Sequence, residues 1–332
     1  MGLLVDGEWR TDWYAPDEAG RFERPRTRFH DWVSAHGEGR FPAEVGRYHL
    51  YVSYACPWAS RVLLMRKLKG LEDVVGMTVV DPRMGREGWR FGNYPRSDVD
   101  KLNGAHSLRE VYLRADPHYS GRVTVPVMWD ARERTLVNNE SRELMRMLDT
   151  EFDAFARNPV TLWPEGLREQ VDETIDALHE PVNNGVYRAG FATSQGAYEL
   201  ACRELFGALE HWEQVLERQR YLCGDVLTEA DLCFYTTLVR FDLVYYAHFK
   251  CNLSRIQDYP NLWNYLLDLY QTPGFAEMTN VDHIKVHYYW SQDTVNPSRL
   301  VPMGPAVDLL TPHDRDRLSP RLMAPAPSVP RH

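Results

Sequence analysis

Two kinds of hydrophobic spacing divide the chain. In the stretch Tyr48-His49-Leu50-Tyr51-Val52-Ser53-Tyr54 aromatic, aliphatic and β-branched residues are interleaved with polar His49 and Ser53, which reads as a strand. Beyond Pro57 the apolar positions recur at helical spacing through Val62, Leu63 and Leu64. A proline is tolerated at the first helical position because its missing N–H would be unsatisfied there anyway. The pattern predicts a strand that hands over directly to a helix ending near Gly70. Val74–Val80 reads as a second strand, so strand, helix and strand form a βαβ unit. Val123–Asp130 predicts a further strand, interrupted by Pro126, a residue that strands accept only at an edge or a special bond. A turn at Asp130–Arg134 leads back through Thr135-Leu136-Val137 as a hairpin, and Asn138-Asn139 offers a cap for a helix over Glu140–Leu148. From about Leu162 the spacing is helical with short loops, including a helix over Leu262–Tyr270 closed by Pro273-Gly274.

Three stretches lack a clean period. Residues 1–47 read as an irregular N-terminal arm whose aromatics, among them Trp9, Trp13, Phe22 and Trp32, pack on the rest of the protein. Residues 81–122 form a polar insertion that contains Gly85, Gly88, Gly92 and Gly104, plus Trp89 and Phe91, and a short helix over Ser107–Arg114; a loop this long inside a domain is usually functional or disordered. Residues 311–332 are rich in proline and arginine and read as a mobile tail. Thr228-Glu229-Ala230-Asp231 has the spacing of a helix capping box, flanked by Leu227 and Leu232 as a hydrophobic staple. There are no internal repeats.

A length of 332 residues implies two domains, and a hydrophobic fraction of 44% with 12% aromatics can fill their cores. A net charge of −9 argues against nucleic acid or an anionic membrane as the main partner. No apolar run is long enough to cross a bilayer, and Met1–Arg10 lacks the basic-then-apolar order of a signal peptide. The five cysteines show neither metal-ligand spacing nor a secreted disulfide framework. The expectation is a soluble cytoplasmic protein with reduced thiols.

Chemistry concentrates at Cys56, where the strand meets the helix. The helix dipole and its free N–H groups favour negative charge there, so the thiol is expected to ionise below its usual value of about 8.5. Three residues on stands Ala59 rather than a second cysteine. A disulfide formed at Cys56 therefore has no local partner to resolve it and needs an outside thiol, of which glutathione is the natural choice in a reducing cytosol. Cys202, Cys223, Cys233 and Cys251 fall in helical segments and are expected as buried packing. The histidines lack ligand-like spacing.

The βαβ–ββα order, with cysteine at the first helix start and Val125-Pro126 before the third strand, resembles a thioredoxin-like domain. The helical second half resembles the C-terminal domain of glutathione transferases. More specifically, the chain resembles the glutathionyl-hydroquinone reductases, or xi-class glutathione transferases. The likeness is carried by Gly46-Arg47-Tyr48-His49-Leu50-Tyr51, Ala55-Cys56-Pro57-Trp58-Ala59, Gly88-Trp89-Arg90-Phe91, Gly121–Val127, Val137-Asn138-Asn139-Glu140-Ser141, Asn183-Asn184-Gly185-Val186-Tyr187 and Ile284–Tyr289. It implies an α/β thioredoxin-like domain over 48–150 and an all-α glutathione-transferase-type domain over 160–310. Two positions depart from the family pattern: Ser60 and Gln292 stand where histidine is often found.

The resemblance also implies roles. Cys56 would be the nucleophile. Trp89, Arg122, Val123, Thr124 and Val125 would bind glutathione, with the extended backbone before Pro126 pairing with its peptide-like chain. Glu140 would accept from the γ-glutamyl amine and Ser141 donate to its carboxylate. Tyr187 would be the acid and base that tautomerises a hydroquinone ring, and Tyr245 and Tyr288 would donate hydrogen bonds to the Cys56 thiolate. Packing alone would also account for any one of 18 tyrosines, and capping for Glu140 and Ser141. The expected reaction reduces glutathionyl-hydroquinones through a Cys56–glutathione mixed disulfide, with glutathione as co-substrate, no metal or flavin, and a homodimer as the assembly. The alternatives are an omega-like thioltransferase or dehydroascorbate reductase, and a non-catalytic binding protein.

Overall fold

The structure, a computed structural model, describes residues 2–37 and 39–326. The chain opens with a hairpin, β1 (Leu3–Val5) and β2 (Glu8–Arg10). The first domain follows with β3 (Tyr48–Val52), α1 (Pro57–Leu68), β4 (Gly76–Val79), α2 (Leu108–Ala115), β5 (Gly121–Arg122), β6 (Val127–Asp130), β7 (Thr135–Asn138) and α3 (Ser141–Thr150). Its sheet has the order β4-β3-β6-β7, with β3 parallel to β4 and the other two pairings antiparallel. A parallel pair needs a crossover, which α1 supplies, whereas β6 and β7 join through a tight turn. Leu50 of central β3 lies opposite Met77 of edge strand β4 on one side and Met128 of central β6 on the other. Helices α1 and α3 pack on each other, and α2 packs against β7.

The strand expected from Val123 starts only at Val127. The Val125–Pro126 peptide is cis, and with no N–H on Pro126 the segment before it stays out of the ladder and faces the site described below. The arm is more regular than its sequence: Leu3 and Leu4 of β1 pair with β5 inside the insertion, tying the N-terminus to residues 121–122. Most of its aromatics pack inward, with Trp13, Tyr14 and Phe22 ringed around Phe191 of the second domain, whereas Trp32, expected to do the same, is exposed. The short helix of the insertion forms as expected and carries a Ser107–Glu110 capping box.

The second domain is helical: α4 (Arg168–Leu178), α5 (Gly185–Gly190), α6 (Gln195–Leu216), α7 (Glu229–Arg240), α8 (Tyr246–His248), α9 (Pro260–Tyr270), α10 (Phe275–Met278) and α11 (Val281–Ser291). Two single π turns, His179–Asn183 before α5 and Phe241–Tyr245 after α7, re-aim the chain where Tyr187 and Tyr245 are presented. α1 packs on α7, joining the two domains.

The sequence-based expectation of a mobile tail from residue 311 is corrected for residues 311–326; residues 327–332 lie outside the described part. β10 (Leu322–Pro325) bridges β8 (Val160–Thr161) and β9 (Val226–Leu227) in a small sheet. Arg315 is buried and donates to the carbonyl of Leu216, the last residue of α6, and to those of Gln219 and Arg220 in the turn that follows.

The Thr228–Asp231 box is present. Asp231, wholly buried, accepts from the Thr228 N–H (2.8 Å) and hydroxyl (2.9 Å), the Leu222 N–H (2.9 Å) and the Tyr265 hydroxyl (2.7 Å). Removing the carboxylate strands all four donors, each worth about 1–3 kcal/mol when buried without a partner. Asp231→Ala is therefore expected to destabilise the fold by at least about 3 kcal/mol, read as a fall in the chemical-denaturation midpoint. A change within about 0.5 kcal/mol, the range of ordinary surface substitutions, would show that the box contributes little.

Candidate active site

β3 ends at Val52, and Cys56 takes an extended conformation as the residue that caps α1, with Pro57 first in the helix. The Cys56 thiol donates to the Val125 carbonyl at 3.5 Å. It is partly exposed, but to a cavity rather than to open solvent. Burial consequently pushes the thiol up, against the opposing pull of the Ala59 N–H, the Arg240 guanidinium, the Trp58 N–H and Arg24. This corrects the sequence-based expectation of a depressed value: the helix start acts in the expected direction, but desolvation outweighs it.

The cavity, about 650 Å³ in volume, lies where both domains and the arm meet. Trp89, the backbone run Arg122-Val123-Thr124-Val125, Tyr187 and Tyr288 all line it beside Cys56. An adjoining cleft of about 550 Å³ shares Thr124, Val125 and Trp58 with it and reaches Glu140 and Ser141. One trough thus runs from the thiol to the start of α3. Trp89 stacks on His287 with ring centroids 4.7 Å apart. The Arg122 guanidinium donates to the Asp12 and Trp13 carbonyls at 2.7 and 2.9 Å and so holds the arm over the cavity. Glu140 accepts from the Arg142 N–H (3.3 Å), the cap that was its alternative reading, and from the Thr27 hydroxyl of the arm (3.2 Å).

The three tyrosines form a chain. Tyr187 and Tyr288 share a hydrogen bond of 2.5 Å, and Tyr288 and Tyr245 one of 2.9 Å. The expectation that Tyr245 and Tyr288 donate to Cys56 is corrected: their hydroxyls bond within this chain, and Tyr245 stands behind Tyr288 rather than on the cavity wall. Burial raises all three phenols, and at Tyr187 the nearby Cys56 charge raises it further. Each is therefore a neutral O–H donor at working pH. The other four cysteines are free and buried, with Cys223 in a turn and Cys251 just past α8 rather than in helices.

Sequence reasoning missed two arginines. Arg24 of the arm reaches into both cavity and cleft. Arg240, 2% exposed at the end of α7, donates to the carbonyls of Tyr54 (2.8 Å), Ala55 (2.9 Å) and Thr236 (2.7 Å) and to the Ser60 hydroxyl (2.5 Å). It clamps the turn before Cys56 and places a cation beneath the thiol. Ser60 in turn donates to the Cys56 carbonyl at 3.0 Å. The only signal was the departure at Ser60, which leaves room for a guanidinium. The other departure, Gln292, lines the cavity and accepts from His248 at 2.9 Å.

Because the Arg240 charge favours thiolate, Arg240→Met is expected to move the pH profile of Cys56 alkylation by iodoacetamide to higher pH, and Arg240→Lys to move it less. An unshifted profile in the methionine variant would leave Arg240 a clamp only. Among the described residues no cluster of three or more His, Cys, Asp or Glu side chains has a metal-binding arrangement, and no helix is long and apolar enough to cross a membrane.

Comparison with known proteins agrees with this geometry. Residues 55–151 match the family model of the glutathione S-transferase N-terminal domain and residues 195–267 that of the C-terminal domain. Glutathionyl-hydroquinone reductase YqjG of Escherichia coli is 49% identical over 95% of this chain and 99% of its own. Glutathionyl-hydroquinone reductase PcpF of Sphingobium chlorophenolicum is 47% identical over 93% and 98%. Among solved structures, a xi-class transferase from Natrialba magadii superposes with a TM-score of 0.91 at 55% identity, covering 96% of this chain and 97% of that one. The glutathione-bound structure of the Escherichia coli protein gives 0.86 at 48% identity, covering 95% and 99%.

Proposed function

The chain belongs to the xi-class glutathione transferases, the family of the glutathionyl-hydroquinone reductases, and from that premise we propose that it reduces glutathionyl-hydroquinones to hydroquinones with glutathione as co-substrate. The observation that carries this is one cavity holding a lone cysteine at a helix start beside a chain of neutral phenols. Glutathione would lie along the trough, its backbone against Thr124 and Val125, its γ-glutamyl end at Glu140 and Ser141, and its sulfur near Cys56, with Trp89 closing one side.

An aryl thioether resists attack at sulfur until its ring can accept an electron pair. Tyr187 therefore protonates the ring carbon that bears sulfur while the adjacent phenol loses its proton, giving a ketone. The Cys56 thiolate then attacks the glutathionyl sulfur. The S–S bond forms, the C–S bond breaks, and the electron pair passes through the ring to the ketone oxygen, which is reprotonated to hydroquinone. A second glutathione thiolate attacks the glutathionyl sulfur of the mixed disulfide and releases the Cys56 thiolate with oxidised glutathione. The sum is one glutathionyl-hydroquinone and one glutathione converted to one hydroquinone and one oxidised glutathione.

Incubation with glutathionyl-menadiol and glutathione is expected to yield menadiol and oxidised glutathione in equal amounts by chromatography. Consumption of glutathione without menadiol release would sink the reaction. A cytoplasmic setting suits five free cysteines. A homodimer is supported by Leu300, Met303 and Leu310, which are 74%, 101% and 72% exposed. Sedimentation equilibrium at twice the chain mass of 38.6 kDa is the expected result, and a monomer at micromolar concentration the contrary one.

A further inference from the structure

The N-terminal arm brings one charged side chain into the trough. The Arg24 guanidinium lies 4.7 Å from the Tyr187 ring centre and 4.8 Å from that of Trp58, sandwiched by the aromatic walls. Its Nε donates to the Asn184 side-chain carbonyl at 3.0 Å, which fixes the plane of the group. Its Nη2 is buried and has no hydrogen-bond partner among the described residues. Guanidinium groups present their donors in a rigid fork and stay charged at every working pH, so a buried N–H left without an acceptor is costly unless something else supplies one. Arg24 faces the Cys56 cavity, the Glu140 cleft and the wide opening between the arm and the π turn before α5.

We infer that Arg24 is a substrate-contacting residue whose Nη2 receives the ring oxygen of the hydroquinone as its C–S bond breaks. The inference rests on the reaction proposed above. When Cys56 takes the glutathionyl sulfur, the bonding pair leaves carbon and comes to rest on the oxygen of the neighbouring ring position. That oxygen changes from a ketone to a phenolate within one step. Tyr187 has just given its proton to carbon, and its hydroxyl is shared with Tyr288, so a second donor is needed at the oxygen. A fixed cation held between aromatic walls stabilises such charge where it develops, with no reorganisation at the moment of reaction. Stacking on Tyr187 keeps the guanidinium beside the phenol that starts the sequence. The arm is thereby part of the site rather than a cover over it, held by Arg122 at Asp12 and Trp13.

The test uses the full-length protein and a series of glutathionyl-hydroquinones carrying none, one or two ring chlorines. Each chlorine makes the departing phenolate a weaker base and lessens its need for a cation. Arg24→Gln is expected to lower kcat/KM for the unsubstituted compound on the order of a hundredfold, with the loss shrinking along the chlorinated series. Arg24→Lys, which keeps charge but not the fork, should retain part of the rate. Release of oxidised glutathione from preformed Cys56–glutathione disulfide generates no phenolate and should lose far less in Arg24→Gln, only what the pull of Arg24 on the departing Cys56 thiolate accounts for, and that loss is the same for every member of the series. A loss of the same size across the series, or an equal loss in disulfide release, would make Arg24 a fastener of the arm and overturn the inference. Full activity of Arg24→Gln would overturn it as well, while leaving the reaction standing. Failure of the wild type to release hydroquinone overturns the reaction and this inference together.

Discussion

Cys56→Ala is expected to abolish hydroquinone release, lowering kcat by at least about 10⁴-fold, as removal of a nucleophile does in enzymes whose catalytic groups act as a unit. The argument is one of bonds. The reduction needs an atom that can hold the glutathionyl sulfur between the two half-reactions, and the cavity offers one thiol, placed by the end of β3 and the start of α1. The other cysteines are buried in the helical domain and do not line the cavity. Cys56→Ser is expected to be as inactive, because a hydroxyl in place of the thiol leaves the cap geometry intact but forms no disulfide. The paired measurement is mass spectrometry of the protein after incubation with substrate and no free glutathione. Wild type should carry one glutathione on Cys56, and neither variant should carry any. Substantial turnover by Cys56→Ala would transfer the chemistry to glutathione itself and demote Cys56 to a cap residue.

The parts of this site that could be read from sequence are those set by local chemistry. A strand rich in aromatic and β-branched residues, a proline and an apolar run at helical spacing placed Cys56 at a helix start, and the Thr228–Asp231 spacing announced the start of α7. What was illegible depends on distant partners. Arg24 and Asn184 are 160 positions apart, and Arg240 meets Ala55 across 185. No periodicity encodes such meetings. The hairpin pairing of β1 with β5 was hidden because short edge strands carry too few alternating positions to register. Proline and arginine after residue 311 suggested disorder by composition, yet Arg315 is held by the carbonyl of Leu216 at the end of α6 and that of Arg220 just beyond it. The thiol was misjudged for a related reason: the helix start is a local feature, whereas desolvation of Cys56 comes from the arm and α5 closing over it.

Tyr187→Phe is the substitution that separates the hydroquinone reaction from simple disulfide chemistry. The variant keeps the ring that stacks beneath Arg24 and loses only the hydroxyl shared with Tyr288. Removing a positioned general acid commonly costs 10²–10⁴ in rate, so hydroquinone release is expected to fall by about that factor. Reduction of a glutathionyl disulfide such as that of mercaptoethanol involves no ring carbon to protonate and should continue close to the wild-type rate. The order along the chain follows from position. Tyr288→Phe removes the partner of Tyr187 without removing the acid and should cost less, and Tyr245→Phe, one bond further from the cavity, less again. Burial holds the Tyr187 phenol in its acid form above neutrality while rising pH ionises Cys56, so the wild-type rate is expected to rise with pH from neutrality. Equal loss of both activities in Tyr187→Phe would mean that the hydroxyl acts on the thiol and not on the ring, and an omega-like thioltransferase would then describe the site better.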